Sequence, residues 1–185
     1  MNKSISRLVI TLTVIGVVSA FILTFVYEWT TPHIERHQAE AREEAIYEVL
    51  PEADSYKEIE KNGTTFYEGY DNSDSRIGVA MLTSGSGFQG EIELMIGVDL
   101  KAEEIYGIKI LEHEETPGLG AKITEDDYKN NFKNKPFGDY EVIKREAEKP
   151  DEVEAIAGAT ISSEKVTEIV EEAVADIESV YGGAN

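Results

Sequence analysis

From Leu8 to Tyr27 the chain runs for 20 residues without a charged side chain, LVITLTVIGVVSAFILTFVY. At about 1.5 Å per residue a helix of that length reaches roughly 30 Å, the thickness of a bilayer core. The run therefore predicts one transmembrane α-helix over residues 8–27. Its polar members, Thr11, Thr13, Ser19 and Thr24, can bond back to the helix or to a neighbouring one, and Gly16 suits packing against other membrane helices. Tyr27 and Trp29 stand at the far edge, where interfacial aromatics collect. Val18-Ser19-Ala20 offers a small-residue cleavage site, but the apolar run continues well past it, which favours an uncleaved anchor over a signal peptide.

Charge orients the anchor. Residues 1–27 carry Lys3 and Arg7 and no acid, while Glu28 opens the other side. The positive-inside rule puts residues 1–7 in the cytoplasm and everything after Tyr27 outside the cytoplasmic membrane. The formal net charge is −20, and all of the acidic excess lies beyond the apolar run. Such a surface repels nucleic acid and anionic headgroups, which excludes nucleic-acid partners and leaves membrane lipid to the helix alone. The chain has no cysteine and three histidines, His33, His37 and His113. Disulfides, thiolate-ligated iron–sulfur clusters and a cysteine nucleophile are ruled out, so redox chemistry would need an organic cofactor.

Residues 28–50 predict a stalk helix that Pro32 does not end and that stops before Pro51, with Ile34, Ala41, Ala45, Ile46, Val49 and Leu50 as its apolar positions. His33 and His37 share one face, more in keeping with a wet interface than with metal binding. From residue 64 the period changes. Strands are expected over 64–70, 76–83, 91–100, 105–111 and 140–145, with Ser84-Gly85-Ser86-Gly87 as a turn or flexible loop. A short helix capped by Thr124 is expected over 124–132. From Ser162 to Tyr181 apolar residues recur at helical spacing, and Gly182-Gly183 is expected to stop the helix. The fold class is α+β: a single N-terminal transmembrane helix, then an antiparallel-sheet domain over 51–185 with packed helices.

Two short constellations carry the chemistry. In Ala157-Gly158-Ala159-Thr160-Ile161-Ser162-Ser163-Glu164 a small turn runs into the last helix, with a threonine where that helix begins. Unpartnered N–H groups and the helix dipole suit a phosphate there, and Thr160 is placed to be esterified by one. Glu112-His113-Glu114-Glu115-Thr116-Pro117-Gly118-Leu119-Gly120 follows a strand. Pro117, Gly118 and Gly120 shape a rigid loop open to close approach, and Thr116 and Leu119 can pack on a planar ring. His113 and Glu115 suggest acid–base chemistry, but no nucleophile or second catalytic pair accompanies them, so a hydrolase is disfavoured.

Taken in order, Gly85-Ser86-Gly87-Phe88-Gln89-Gly90, GEIELMIGVDL, HEETPGLG and GATISS resemble the RnfG family of the Rnf ion-translocating electron-transport complex, whose FMN-binding domain is similar to that of the NqrC component of the sodium-pumping NADH:quinone reductase. The resemblance implies one covalent FMN per chain, joined through its phosphate to Thr160 by a separate flavin transferase acting on FAD. It implies Gly158, Ala159, Ser162, Ser163, Thr116, Pro117, Gly118, Leu119 and Gly120 as cofactor-binding residues, no catalytic residue and no metal. The chain departs from the family's usual Asp and Ser or Thr ahead of the threonine at Glu154 and Ala157. The implied role is an electron carrier in a membrane-bound ferredoxin:NAD oxidoreductase that moves Na⁺ or H⁺. Its implied partners are the membrane components RnfA, RnfD and RnfE and the soluble components RnfB and RnfC of the Rnf complex. Two other readings compete: a membrane-anchored non-redox scaffold in which Thr160 is only an N-cap, and a flavin reductase acting on a soluble external substrate.

Overall fold

A computed structural model describes residues 3–182. The chain divides into two compact units, 1–41 and 42–185. Helix α1 (Lys3–Val49) is continuous through Pro32. Pro32 has no N–H to give to the turn before it, a loss that membrane helices tolerate. In the first unit every large apolar side chain from Ile5 to Ile34 is exposed, and the helix is long and apolar enough to cross a bilayer. Thr11, Thr13, Thr30 and Thr31 each donate a hydroxyl to the carbonyl four residues back, so these polar groups are satisfied without a partner helix. His33 and His37 are exposed, and His37 lies 3.7 Å from Glu40.

The second unit is built on a six-stranded antiparallel meander: β1 (Ser55–Lys61), β2 (Thr64–Tyr70), β3 (Arg76–Ser86), β4 (Glu91–Asp99), β5 (Glu104–His113) and the short β6 (Lys135–Pro136), paired in that order. Alternation in β4 explains its layering. Ile92, Leu94, Ile96 and Val98 face one core, while Met95 and Gly97 face the other way. The first face is covered by α3 (Thr160–Tyr181), through Val166, Ile169, Val170, Ala173, Val174 and Ile177. The second is covered by the C-terminal end of α1 and the residue after it, with Ala45, Ile46, Val49 and Leu50 fully buried against Tyr67, Ala80 and Met95.

Three glycines make room for that helix end. A side chain on Gly97 would collide with the Val49 carbonyl and one on Gly69 with Leu50, while one on Gly78 would meet the Val98 carbonyl first and then Tyr106 and Leu50. Glu48 then pins the helix by ion pairs to Lys109 of β5 and to Lys129. Burial works against ionising the Glu48 carboxyl, but its two lysine partners outweigh burial and hold its pKa below the ordinary value.

Several expected elements take another form. β1 is an additional strand; its sequence SYKEIEK is charged and mostly exposed, as befits a sheet edge. Ser84 to Ser86 continue β3 instead of forming a loop, and the turn lies at 87–90, closed by Gly87 N–H to Gly90 O at 2.7 Å. The helix expected over 124–132 is one α-turn, α2 (Asp126–Lys129), between two 3₁₀ turns. Thr124 does not cap it; its hydroxyl donates to Ala121 O. The winding serves tertiary needs, since it buries Tyr128 and Phe132 in the core. The strand expected over 140–145 contracts to β7 (Glu141–Ile143), which pairs parallel with β8 (Glu152–Glu154), apart from the main sheet. Gly182 ends α3 in a right-handed conformation, φ −66°, rather than as a left-handed cap; Gly183 lies outside the described residues, as do residues 1 and 2.

Candidate functional site

Two turns of the same design face each other across a cleft. In Thr116–Leu119, the Leu119 N–H closes on Thr116 O at 3.1 Å, with Pro117 second and Gly118 third at φ +76°. In Ile156–Ala159, the Ala159 N–H closes on Ile156 O at 2.9 Å, with Gly158 third at φ +82°. A positive φ in the third position is what a type II turn requires, and glycine supplies it without strain. The sequence therefore specifies both turns locally, although they lie about 40 residues apart.

The cleft has a volume of about 330 Å³ and is lined by Phe88, Glu115, Thr116, Leu119, Gly120, Gly158, Ala159, Thr160, Ile161 and Ser162. It unites the β3–β4 turn, the loop after β5 and the start of α3. Its walls are apolar and open. Phe88 is 57% exposed, Leu119 47% and Ile161 48%, and the only other large exposed hydrophobic among the described residues of the second unit is Tyr47. Water-facing apolar groups gathered around one concavity mark a ligand site rather than a structural core.

Thr160 lines this cleft. The N-cap of α3 is Ala159, and Thr160 is the first helical residue. The competing reading of Thr160 as only an N-cap is not met: no side chain caps the helix, and the threonine hydroxyl stays uncommitted. The N–H groups of Thr160, Ile161 and Ser162 have no intrahelical partner. Three unpartnered donors, the positive end of a 22-residue helix and a half-buried hydroxyl together form a seat for a phosphate ester.

Of the residues singled out from sequence, Thr116, Leu119, Gly120, Gly158, Ala159, Thr160 and Ser162 line the cleft. Pro117 and Gly118 shape the turn from outside it. Ser163 does not reach it. Its side chain is fully buried, donates to Ala159 O at 3.1 Å and accepts the Ile156 N–H at 3.0 Å, so it braces the Ile156–Ala159 turn from beneath. Tyr128 adds a second brace through its hydroxyl to Ser163 O at 3.0 Å, and burial pushes that phenol well above its ordinary pKa, keeping it a neutral donor.

Sequence reasoning gave no cofactor-binding role to three residues of the site: Phe88, Ile161 and Glu115. The signal for Phe88 was a large aromatic between glycines in GSGFQG. His113 and Glu115 form no acid–base pair: the Glu115 N–H donates to His113 Nδ1 at 3.2 Å, and the Glu115 carboxylate is turned inward. Among the described residues no group of side chains is arranged to hold a metal ion.

Comparison with known proteins matches residues 87–175 to the FMN-binding domain family and residues 1–49 to the RnfG N-terminal region. The first span contains the whole cleft. The chain is 33% identical to the G component of the ion-translocating oxidoreductase complex of Methanosarcina acetivorans, over 94% of each chain. It is 29% identical to the G component of the proton-translocating ferredoxin:NAD(+) oxidoreductase complex of Clostridium ljungdahlii, over 98% of this chain and 96% of that one. It is 30% identical to the G component of the Na(+)-translocating ferredoxin:NAD(+) oxidoreductase complex of Acetobacterium woodii, over 89% and 87%. Among solved structures it resembles NqrC of Shewanella oneidensis in fold, with a TM-score of 0.54 at 21% identity over 66% of each chain.

Proposed function

This chain belongs to the RnfG family of ion-translocating oxidoreductase complexes, and we propose that it carries one FMN covalently on Thr160 and relays electrons within such a complex on the outer side of the cytoplasmic membrane. The observation that carries the reading is the uncommitted Thr160 hydroxyl at a helix start, in the lining of a cleft walled by exposed apolar side chains.

The residues present suit the group. Thr160 Oγ1 would hold the phosphate as a diester, and the N–H groups of Thr160, Ile161 and Ser162 would offset its remaining charge. Phe88, Thr116, Leu119 and Ile161 would line the isoalloxazine and keep water from it, while Gly120, Gly158 and Ala159 leave space beside the backbone. FMN supplies reversible one- and two-electron transfer when bound, and the protein contributes position and surroundings. In maturation by a flavin transferase, Thr160 Oγ1 forms a bond to the flavin-side phosphorus of FAD, the pyrophosphate bond breaks, AMP leaves, and the hydroxyl proton passes to a base of the transferase. Glu154 and Ala157 flank that site on the strand and turn leading into it.

The charge asymmetry around the apolar run supports an N-terminus in the cytoplasm and the FMN domain outside. A covalent tether suits that location, where a lost cofactor is not easily replaced. The relatives are named for complexes that couple ferredoxin and NAD(+) to translocation of H⁺ or Na⁺. The membrane components RnfA, RnfD and RnfE, with the soluble components RnfB and RnfC, are the partners we propose for this chain.

The decisive experiment is purification of the full chain from a host that has the transferase, followed by denaturation and in-gel fluorescence. Yellow fluorescence should migrate with the wild-type polypeptide and vanish in Thr160→Ala. Fluorescence that persists in Thr160→Ala, or wild-type protein that runs without flavin, overturns the attachment.

A further inference from the structure

The densest side-chain bonding at the cleft centres on Glu115, a residue to which neither family resemblance nor the proposed attachment gives a role. The residue is 4% exposed. Oε1 accepts the Phe88 N–H at 2.6 Å and the Gln89 N–H at 3.3 Å, and Oε2 accepts the Ser162 hydroxyl at 2.7 Å. These partners are 27, 26 and 47 residues away in sequence. They belong to the β3–β4 turn and to the first turn of α3, while Glu115 itself immediately precedes the Thr116–Leu119 turn. One carboxylate thus ties together the three segments that wall the cleft.

The neighbouring sequence is cut to fit this arrangement. A side chain on Gly87 or on Gly120 would fall on the Glu115 carboxylate, so both positions are held small by it. Every partner is a donor, and the carboxylate acts only as an acceptor. Burying such a group is unfavourable unless its oxygens are bonded, and both are. The bond to the Phe88 N–H also bears on the cleft directly, because Phe88 is anchored at its backbone while its ring stays exposed in the wall.

We propose that Glu115 is the positioning residue of this site: it clamps the Phe88 turn to the start of α3, giving the cleft a single width and a bound FMN a single orientation. Thr160 provides attachment; Glu115 provides alignment. The second half of this statement rests on the FMN reading above, whereas the clamp is a property of the chain alone.

The test uses the full-length holoprotein and three variants, Glu115→Ala, Glu115→Gln and Ser162→Ala. Two signals are read: visible circular dichroism of the bound flavin and amide hydrogen exchange at Phe88 and Gln89. In Glu115→Ala the two amides should exchange about ten- to a hundredfold faster, as expected for lost bonds to a charged acceptor. The visible dichroism should fall toward that of free flavin, although the denatured chain still carries its flavin through Thr160. Glu115→Gln should restore most of both signals, because the amide oxygen accepts the Phe88 N–H and the amide nitrogen donates to Ser162 Oγ. Ser162→Ala should lose part of the dichroism with smaller changes at Phe88. A folded Glu115→Ala with wild-type exchange and dichroism overturns the proposal, and so does Glu115→Gln that is as impaired as Glu115→Ala. If Glu115→Ala fails to fold, wild-type dichroism in Ser162→Ala overturns it. Wild-type protein without flavin would sink the FMN reading, while the exchange rates would still decide the clamp.

Discussion

Gly158 shows how one residue governs the site. It stands at φ +82° immediately before the N-cap of α3, and a β-carbon there would approach Leu119 across the cleft. An L side chain held in left-handed backbone costs roughly 1–2 kcal/mol. Gly158→Ala should therefore lower the stability of the domain by about that amount in urea unfolding. It should also reduce flavin incorporation, measured by fluorescence of the denatured chain, because Thr160 is displaced. Unchanged stability together with normal incorporation would contradict the geometry of the Ile156–Ala159 turn. At this scale much was open to reading. A glycine before a small residue, a threonine and an amphipathic helix announces a turn and a helix start, and the Thr-Pro-Gly-Leu order announces its counterpart. Glu115 was not open to reading as a clamp, since its partners are long-range and an acidic run reads as solvated surface unless the fold is known. Ser163 makes a related point: a hydroxyl beside a phosphate seat reads as a donor to it, while the helical phase turns this one into the core.

Among the elements, the join between the sheet and the end of α1 is packed backbone to backbone. Gly97 of β4 lies directly under the Val49 carbonyl, so even a methyl group must push the helix away. Overpacking of this kind costs typically ~1–3 kcal/mol. Gly97→Ala should show such a loss in chemical denaturation. Gly107, its cross-strand neighbour on β5, faces open space, and Gly107→Ala should change stability by no more than ~0.5 kcal/mol. Equal effects at the two positions would refute the packing described. Periodicity revealed β2, β4, β5 and α3 because each buries one face with a regular repeat. It did not reveal β1, whose edge position lets charges occupy most of its length. Nor did it give the form of 120–132, where 3₁₀ and α-turns follow the demand of the core for Tyr128 and Phe132 rather than any local preference.

In the whole molecule, buried carboxylates set the response to acid. Bidentate hydrogen bonding from Arg145, helped by the Glu148 N–H, draws the Glu152 carboxyl down to about 2. Burial opposes ionisation of Glu68, but hydrogen bonds from Tyr70 and Tyr181 and the charges of Arg76 and Lys61 outweigh it, so its pKa is lowered too. Both groups bind protons less readily folded than unfolded, from an ordinary value of 4.5. Their contribution to stability is therefore complete above that value and is lost as pH falls toward 2. Urea midpoints measured from pH 7 to pH 3 should drop most steeply below about pH 4.5, and Glu152→Gln should flatten that drop. A slope unaffected by Glu152→Gln would dismiss the Arg145 fork as its source. The compact unit beginning at Arg42 carries a second expectation. A chain started at Arg42 should fold as a soluble domain. One started at Pro51 should be markedly less stable or aggregate, because it lacks the buried Ala45, Ile46, Val49 and Leu50. Calorimetry of the two truncations distinguishes them, and equal melting temperatures would deny those side chains their role.

What the sequence determined alone is everything with a local cause: an uncharged run long enough for a bilayer, strands and a terminal helix announced by their periods, two glycine turns, and a threonine at a helix start. The tertiary structure decided what those local features meet. It brought Phe88, Leu119 and Ile161 around Thr160, buried Glu115 where the β3–β4 turn, its own loop and the start of α3 meet and turned Ser163 away from the cleft. Such contacts join residues far apart in the chain, and their energies depend on burial and direction, which only the packed sheet with a helix on each face supplies.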